Sequence, residues 1–178
     1  MKKLAVSILI ALTVGCGKAN TTFSAKPQVI DPAFTSQVAS FQSDLIAHGR
    51  SETVTSTIIF GEAPLASEEG FCDYGSNTVT ISPEAWKNLN DLEKKFLIYH
   101  ELGHCTLFKA HEAQTEAHSF CTQLGMGWTQ TNCPAQSWTT VQLPLSIMNA
   151  TVPVSYYVNV SGSPSGYTDS LITELFKN

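Results

Sequence analysis

Positive charge is scarce in this chain. Its 178 residues hold ten Lys and Arg against fifteen Asp and Glu, a formal net charge of −5, and no basic cluster offsets that balance. Phosphate binding needs a basic face, so a nucleic-acid partner is not expected. A membrane-spanning run is absent as well. The apolar stretch Leu4 to Val14 has eleven residues, where roughly 20 are needed to cross a bilayer. There is no CxxC pair, which argues against a zinc ion held by cysteines. Nor is there an internal repeat. What remains is a chain with 43% hydrophobic residues and three Trp, long enough for one domain with a sizeable core and too short for two.

The N-terminus reads as an export signal: Lys2 and Lys3, the short apolar stretch, then Gly15-Cys16. Leu-Thr-Val-Gly-Cys resembles a bacterial lipoprotein signal, although Thr13 stands where Leu is preferred. That resemblance implies a signal over residues 1–15, lipid on Cys16, and anchoring in the cell envelope, outside the cytoplasm. The alternative is an ordinary secretory signal cleaved nearby. Residues 16–29 are then a flexible tether and 30–178 the folded domain. With Cys16 lipidated, Cys72, Cys105, Cys121 and Cys133 remain. Four thiols in an oxidising compartment suggest two disulfides with three pairings open, and Cys72 with Cys105 and Cys121 with Cys133 is the preferred one.

Periodicity predicts an α+β domain. Phe34, Val38, Phe41, Leu45 and Ile46 mark a helix after Asp31-Pro32, ending at His48-Gly49, where His48 suits the negative end of the helix dipole. Thr53 to Phe60 and Asn77 to Ser82 read as strands, separated by a loop over 61–75. Its acidic residues, Glu68, Glu69 and Asp73, lack regular calcium-ligand spacing and read as solvated. Ser82-Pro83-Glu84 opens a short helix. Asp91 is expected to cap a main helix running to about Phe108. A further helix is expected over about 112–124, an extended segment over 139–143, and a C-terminal amphipathic helix with Leu171, Ile172, Leu175 and Phe176 inward.

The main helix carries His100-Glu101-Leu102-Gly103-His104. Residues four apart share a helical face, so both imidazoles can reach one metal ion, and Glu101 can take a proton from a metal-bound water. A catalytic zinc usually has a third protein ligand. The candidates are His111 just past the helix and Glu116 beyond it, with His118 two residues from Glu116 and better suited to the surface or to supporting a ligand.

The run from His100 to His111, followed by Ser146-Ile147-Met148-Asn149 and a Tyr-rich tail ending Glu174-Leu175-Phe176, resembles a group of exported bacterial zinc metallopeptidases with metzincin character. The resemblance covers about Cys72 to Phe176. It implies a small metzincin-like domain, with a few-stranded sheet packed on the active-site helix and on a C-terminal helix. It implies Zn2+ as cofactor, His111 as third ligand, Met148 as the apolar floor of a Met turn, and hydrolysis of peptide bonds with Glu101 as general base. Tyr156 and Tyr157 become candidates to stabilise an oxyanion, though both also suit core packing. The strand over 77–82 would line the cleft and pair with an extended substrate. Common metzincins place Gly where Leu107 stands and the third His where Ala110 stands. His111 therefore comes one residue late, and Leu or Phe at positive φ would be strained in that turn.

Two other readings stay open. Glu112 to Phe120 resembles the helix that supplies a glutamate ligand in gluzincins, which makes Glu116 the alternative third ligand. A non-catalytic zinc-containing lipoprotein with a binding or structural role would keep the metal site without turnover, and in a disulfide-stabilised adhesion module the HExxH residues would be incidental. The expected partners are a peptide or protein substrate and the membrane through Cys16, with the domain a monomer.

Overall fold

A computed structural model describes residues 28–65, 68–121, 138–149 and 167–177. The signal, Cys16 and nearly all of the tether lie outside the described residues, as do Cys133, Tyr156 and Tyr157. Gln28 and Val29 already join the fold: the Gln28 amide donates to the Val54 and Ser56 carbonyls, and Val29 accepts from the Ile58 amide.

The architecture is mixed α+β, with a three-stranded sheet packed against helices and a separate two-stranded hairpin. A 3-10 turn at Pro32–Phe34 leads into α1, Thr35–Ala47, and the Asp31 carboxylate caps the turn by accepting from the Ala33 amide at 2.9 Å. Pro fits this first turn because its missing N–H has no partner to lose there. Phe34, Val38, Phe41 and Leu45 are buried on one face, as their spacing predicts, but Ile46 points to solvent. His48 occupies the C-cap position of α1 and stacks its ring on Phe176.

The strands are β1, Thr57–Phe60, β2, Gly70–Asp73, and β3, Thr78–Ile81, in the order β1-β3-β2. β1 runs parallel to β3, and β2 antiparallel to it. Two sequence expectations change here. The segment over 61–75 is not all loop, because β2 forms inside it. Its signal is weak, since a four-residue strand beginning with Gly has little β-branched character. The 77–82 strand is also not at a cleft edge: β3 is the central strand, hydrogen-bonded on both sides, and the edge beside the helix is β2.

α2, Pro83–Asn88, starts at Ser82, whose hydroxyl accepts from the Ala85 amide. α3, Asp91–Leu107, is capped by Asn90 rather than Asp91. Asn90 accepts from the Leu92 and Glu93 amides at 3.0 Å, while Glu93 accepts from the Asn90 amide at 2.8 Å, a reciprocal capping box. Phe96, Ile98, Tyr99 and Leu102 sink α3 into the core, and the Tyr99 hydroxyl donates to Asp44 of α1 at 2.7 Å.

The segment expected as a helix over 112–124 is instead β4, Thr115–Cys121, paired antiparallel with β5, Trp138–Pro144. Its Ala, Gln and Glu favour helix locally. A seven-residue ladder to a partner rich in β-branched residues outweighs that weak preference. The chain closes in α4, Tyr167–Leu175, with Leu171, Leu175 and Phe176 buried and Ile172 partly so.

Candidate metal centre

His100 and His104 stand one turn apart on a half-buried edge of α3. The chain leaves the helix at Phe108, which adopts the left-handed conformation (φ 54°, ψ 30°) that the sequence argued against. The compensation is local. Lys109 donates its amide to the Gly103 carbonyl at 3.0 Å, a Schellman-type closure that satisfies an orphan carbonyl usually served through a Gly. Reversal at this point brings His111 back over the helix.

The three imidazoles converge on one another. Nε2 of His104 lies 3.1 Å from that of His100 and 3.0 Å from that of His111, and the His100–His111 separation is 3.2 Å. Backbone carbonyls orient two of the rings from behind. His100 Nδ1 lies 2.7 Å from the Ile147 carbonyl, and His104 Nδ1 lies 2.7 Å from the Lys109 carbonyl. A carbonyl only accepts, so each Nδ1 carries the proton and each Nε2 turns a lone pair toward the shared centre. Three ring nitrogens so close form a site able to hold a metal ion.

Burial disfavours the protonated form of the two helical ligands. Loss of solvent pulls His100 down from 6.5 to about 4, with the neighbouring imidazoles adding to the shift and the Ile147 carbonyl opposing it. His104 is lowered for the same main reason.

Beneath the rings sits the turn at Ser146–Asn149. Ser146 accepts the Met148 amide at 3.1 Å, fixing the turn, and Met148 is fully buried. A Cβ on Gly103 would lie 2.5 Å from Met148 Sδ, so glycine between the two helical histidines is what lets this turn rise against the helix. The same turn supplies the Ile147 carbonyl that aligns His100. Beyond His111, the Glu112 amide donates to the Met148 carbonyl at 3.0 Å and the Leu145 amide to the Gln114 carbonyl at 3.1 Å. His111 is thereby anchored to the turn through its own chain neighbours.

Glu101 is 4% exposed and lies against the edge strand. A Cβ on Gly70 would come within 2.9 Å of its Cγ and Oε1, so Gly70 makes room for the carboxylate. Burial pushes the Glu101 carboxyl up from 4.5 to about 8, with the Glu68 charge adding to the rise. The disulfide Cys72–Cys105, one of the two expected pairs, staples β2 to α3 one residue after His104.

Of the remaining candidates, Glu116 lies on β4 opposite Leu143, and His118 and Cys121 lie on the same strand. Their side chains are outside the described residues. The helical hairpin that the Glu116 alternative relies on is not formed, because this segment is extended. Sequence reasoning missed Gly70, the aligning carbonyls of Lys109 and Ile147, and Tyr74, whose hydroxyl lies 3.4 Å from His104 Nδ1. Only the Gly was open to inspection, and nothing in the pattern tied it to Glu101. In comparison with known proteins, the chain matches no protein-family model, no curated protein and no solved structure.

Proposed function

We propose that the protein is an exported zinc metallopeptidase of metzincin-like build. The observation that carries this reading is the convergence of the His100, His104 and His111 imidazoles, two of them on a helix whose Glu101 is buried next to His100 in the chain. The donor set suits zinc: tetrahedral coordination at a Zn–N distance of about 2.0–2.1 Å sets ligand nitrogens roughly 3.3 Å apart, close to the separations of 3.0–3.2 Å here. His100, His104 and His111 would hold the ion, and Met148 supplies its apolar support from below. Bound zinc lowers the pKa of a water and polarises the scissile carbonyl.

The protein's own residues do the rest. Glu101 accepts the attacking water's proton and delivers it to the leaving amine. Desolvation raises the proton affinity of its carboxyl, which favours the proton-accepting step. β2 has β3 as its one strand partner among the described residues, and one face of it meets Glu101 at Gly70. An extended peptide adding to the other edge of β2 as a further strand would give β2 the substrate-pairing role that the sequence suggested for β3. The Cys72–Cys105 disulfide is in keeping with an oxidising compartment, and so with export and with lipid attachment at Cys16.

Glu101→Gln is the direct test. The variant is expected to keep stoichiometric zinc by elemental analysis while hydrolysis of a peptide library falls by about 10²–10⁴-fold. Undiminished turnover in that variant removes Glu101 from the mechanism. Bound zinc without cleavage by the wild type favours the non-catalytic lipoprotein instead.

A further inference from the structure

Gly70 opens β2, and its backbone does not call for glycine. Among the described glycines Gly49 alone has positive φ, whereas Gly70 sits in the ordinary ladder opposite Ile81. Glycine weakens a strand, and inside one it often marks a place where another group comes close. Here that group is Glu101. A Cβ at residue 70 would stand 2.9 Å from its Cγ and Oε1 and 3.1 Å from its Cδ. Contacts that short are not sustained, so an added methyl forces something to move.

Neither backbone is free to do so. On the strand side, the Glu69 carbonyl accepts from the Ser82 amide at 2.9 Å, Gly70 pairs with Ile81, and Cys72 is bonded to Cys105 of α3. That disulfide joins the residue two after Gly70 to the residue four after Glu101, so it ties strand to helix about one turn from the contact. On the helix side, residues 101 and 103 lie roughly 200° apart around α3, on opposite faces. The Gly103 face is already filled: a Cβ there would be 2.5 Å from Met148 Sδ and 3.0 Å from Leu175 Cδ1. α3 is therefore held between β2 and the Met148 turn, with a glycine at each contact. The part left to yield is the end of the Glu101 side chain.

We infer that Gly70 is a positioning residue for Glu101. By withholding a side chain it lets the carboxylate lie against β2, and a methyl there displaces that carboxylate. The three atoms nearest such a methyl all belong to Glu101, and none to His100, His104 or His111. Proton transfer and metal binding are thereby separable at this position. The consequence for hydrolysis rests on the peptidase reading above.

The test uses zinc-loaded full-length Gly70→Ala protein. Peptide cleavage should show kcat lower by roughly ten- to a hundredfold, the scale of a misplaced reacting group, with KM and zinc stoichiometry unchanged. In protein isotope-labelled at the glutamate carboxyl carbons, the Glu101 signal, identified by its loss in Glu101→Gln, should shift while the histidine ring signals stay. The melting temperature should hold. Should it fall, adding Glu101→Ala, which removes all three crowded atoms, should restore it. An unmoved Glu101 signal, an unchanged kcat, or a loss of zinc in parallel with activity would overturn the assignment. So would a lowered melting temperature that Glu101→Ala does not restore. The peptidase reading fails separately: a displaced Glu101 signal in a protein whose wild type cleaves no peptide keeps the hold of Gly70 on Glu101 and removes the activity. Wild-type cleavage with kcat untouched by Gly70→Ala does the opposite.

Discussion

The first turn and the middle of α3 each bury a glutamate at 4% exposure, and the two serve different purposes. In the first turn Glu93 closes the capping box, accepting the Asn90 amide at 2.8 Å while Asn90 serves the amides in return. That carboxylate completes the backbone's hydrogen bonding. Two turns later Glu101 lies against Gly70, and loss of solvent raises its carboxyl to about 8. Around it, backbone carbonyls are spent on aligning the imidazoles. The lesson is that equal burial gives two carboxylates different chemistry: Glu93 spends an oxygen on the helix cap, whereas desolvation leaves Glu101 with a raised proton affinity.

The largest expected effect is on activity and sets the two glutamates against each other. Glu101→Gln should lose turnover by about 10²–10⁴-fold, and Glu93→Gln, which can still accept the Asn90 amide, should lose none. An equal loss in peptide cleavage assays would break the comparison. Next comes metal uptake: His111→Ala should reduce zinc affinity by more than about 100-fold, beyond what loss of a supporting contact costs. Glu116→Ala should leave it unchanged, as read by competition with a chromophoric chelator.

Opening the disulfide should cost about 3–4 kcal/mol, from the chain entropy of the loop it closes, whose ends are 33 residues apart. Urea unfolding of Cys72→Ser against the wild type, both without reductant, measures it. Removing the helix cap by Asn90→Ala should cost about 1 kcal/mol with activity intact, the smallest of these effects.

The pH dependence of the metal-free protein sharpens the same contrast. His100 is lowered to about 4, so its stabilising contribution is complete above 6.5 and is lost as pH falls through 4. Glu101 is raised to about 8, so its contribution is complete below 4.5 and is lost as pH rises through 8. Denaturation midpoints should therefore decline on both sides. The two effects oppose each other between 4.5 and 6.5. Glu101→Gln should therefore flatten the alkaline limb and start the acid decline at 6.5, and His100→Gln should flatten the acid limb and start the alkaline decline at 4.5. A Glu101→Gln protein with an unchanged alkaline limb would contradict the assignment.

Much of the helical frame was legible in advance. The stripes of α1, α3 and α4 and the Pro at the starts of the 3-10 turn and α2 are local signals, and local signals survive in the fold. The two helical histidines were legible for the same reason, since a spacing of four fixes their shared face. β2 and β4 were not, because a strand needs a partner that the local sequence does not name. Phe108 is the sharpest case: its residue type argued against positive φ, and the hydrogen bond from Lys109 to Gly103 offsets that cost only once the helix end exists.

By itself, then, the sequence determined which residues share the histidine edge of α3 and nominated both His111 and Glu116 to join them. Only the tertiary structure brought the His111 ring to the helix, set β2 rather than β3 against Glu101, and lifted the Met148 turn beneath Gly103. Helical neighbours are fixed by backbone geometry over a single turn. The rest depends on loop closure and on strand pairing across tens of residues, where packing and backbone hydrogen bonding decide.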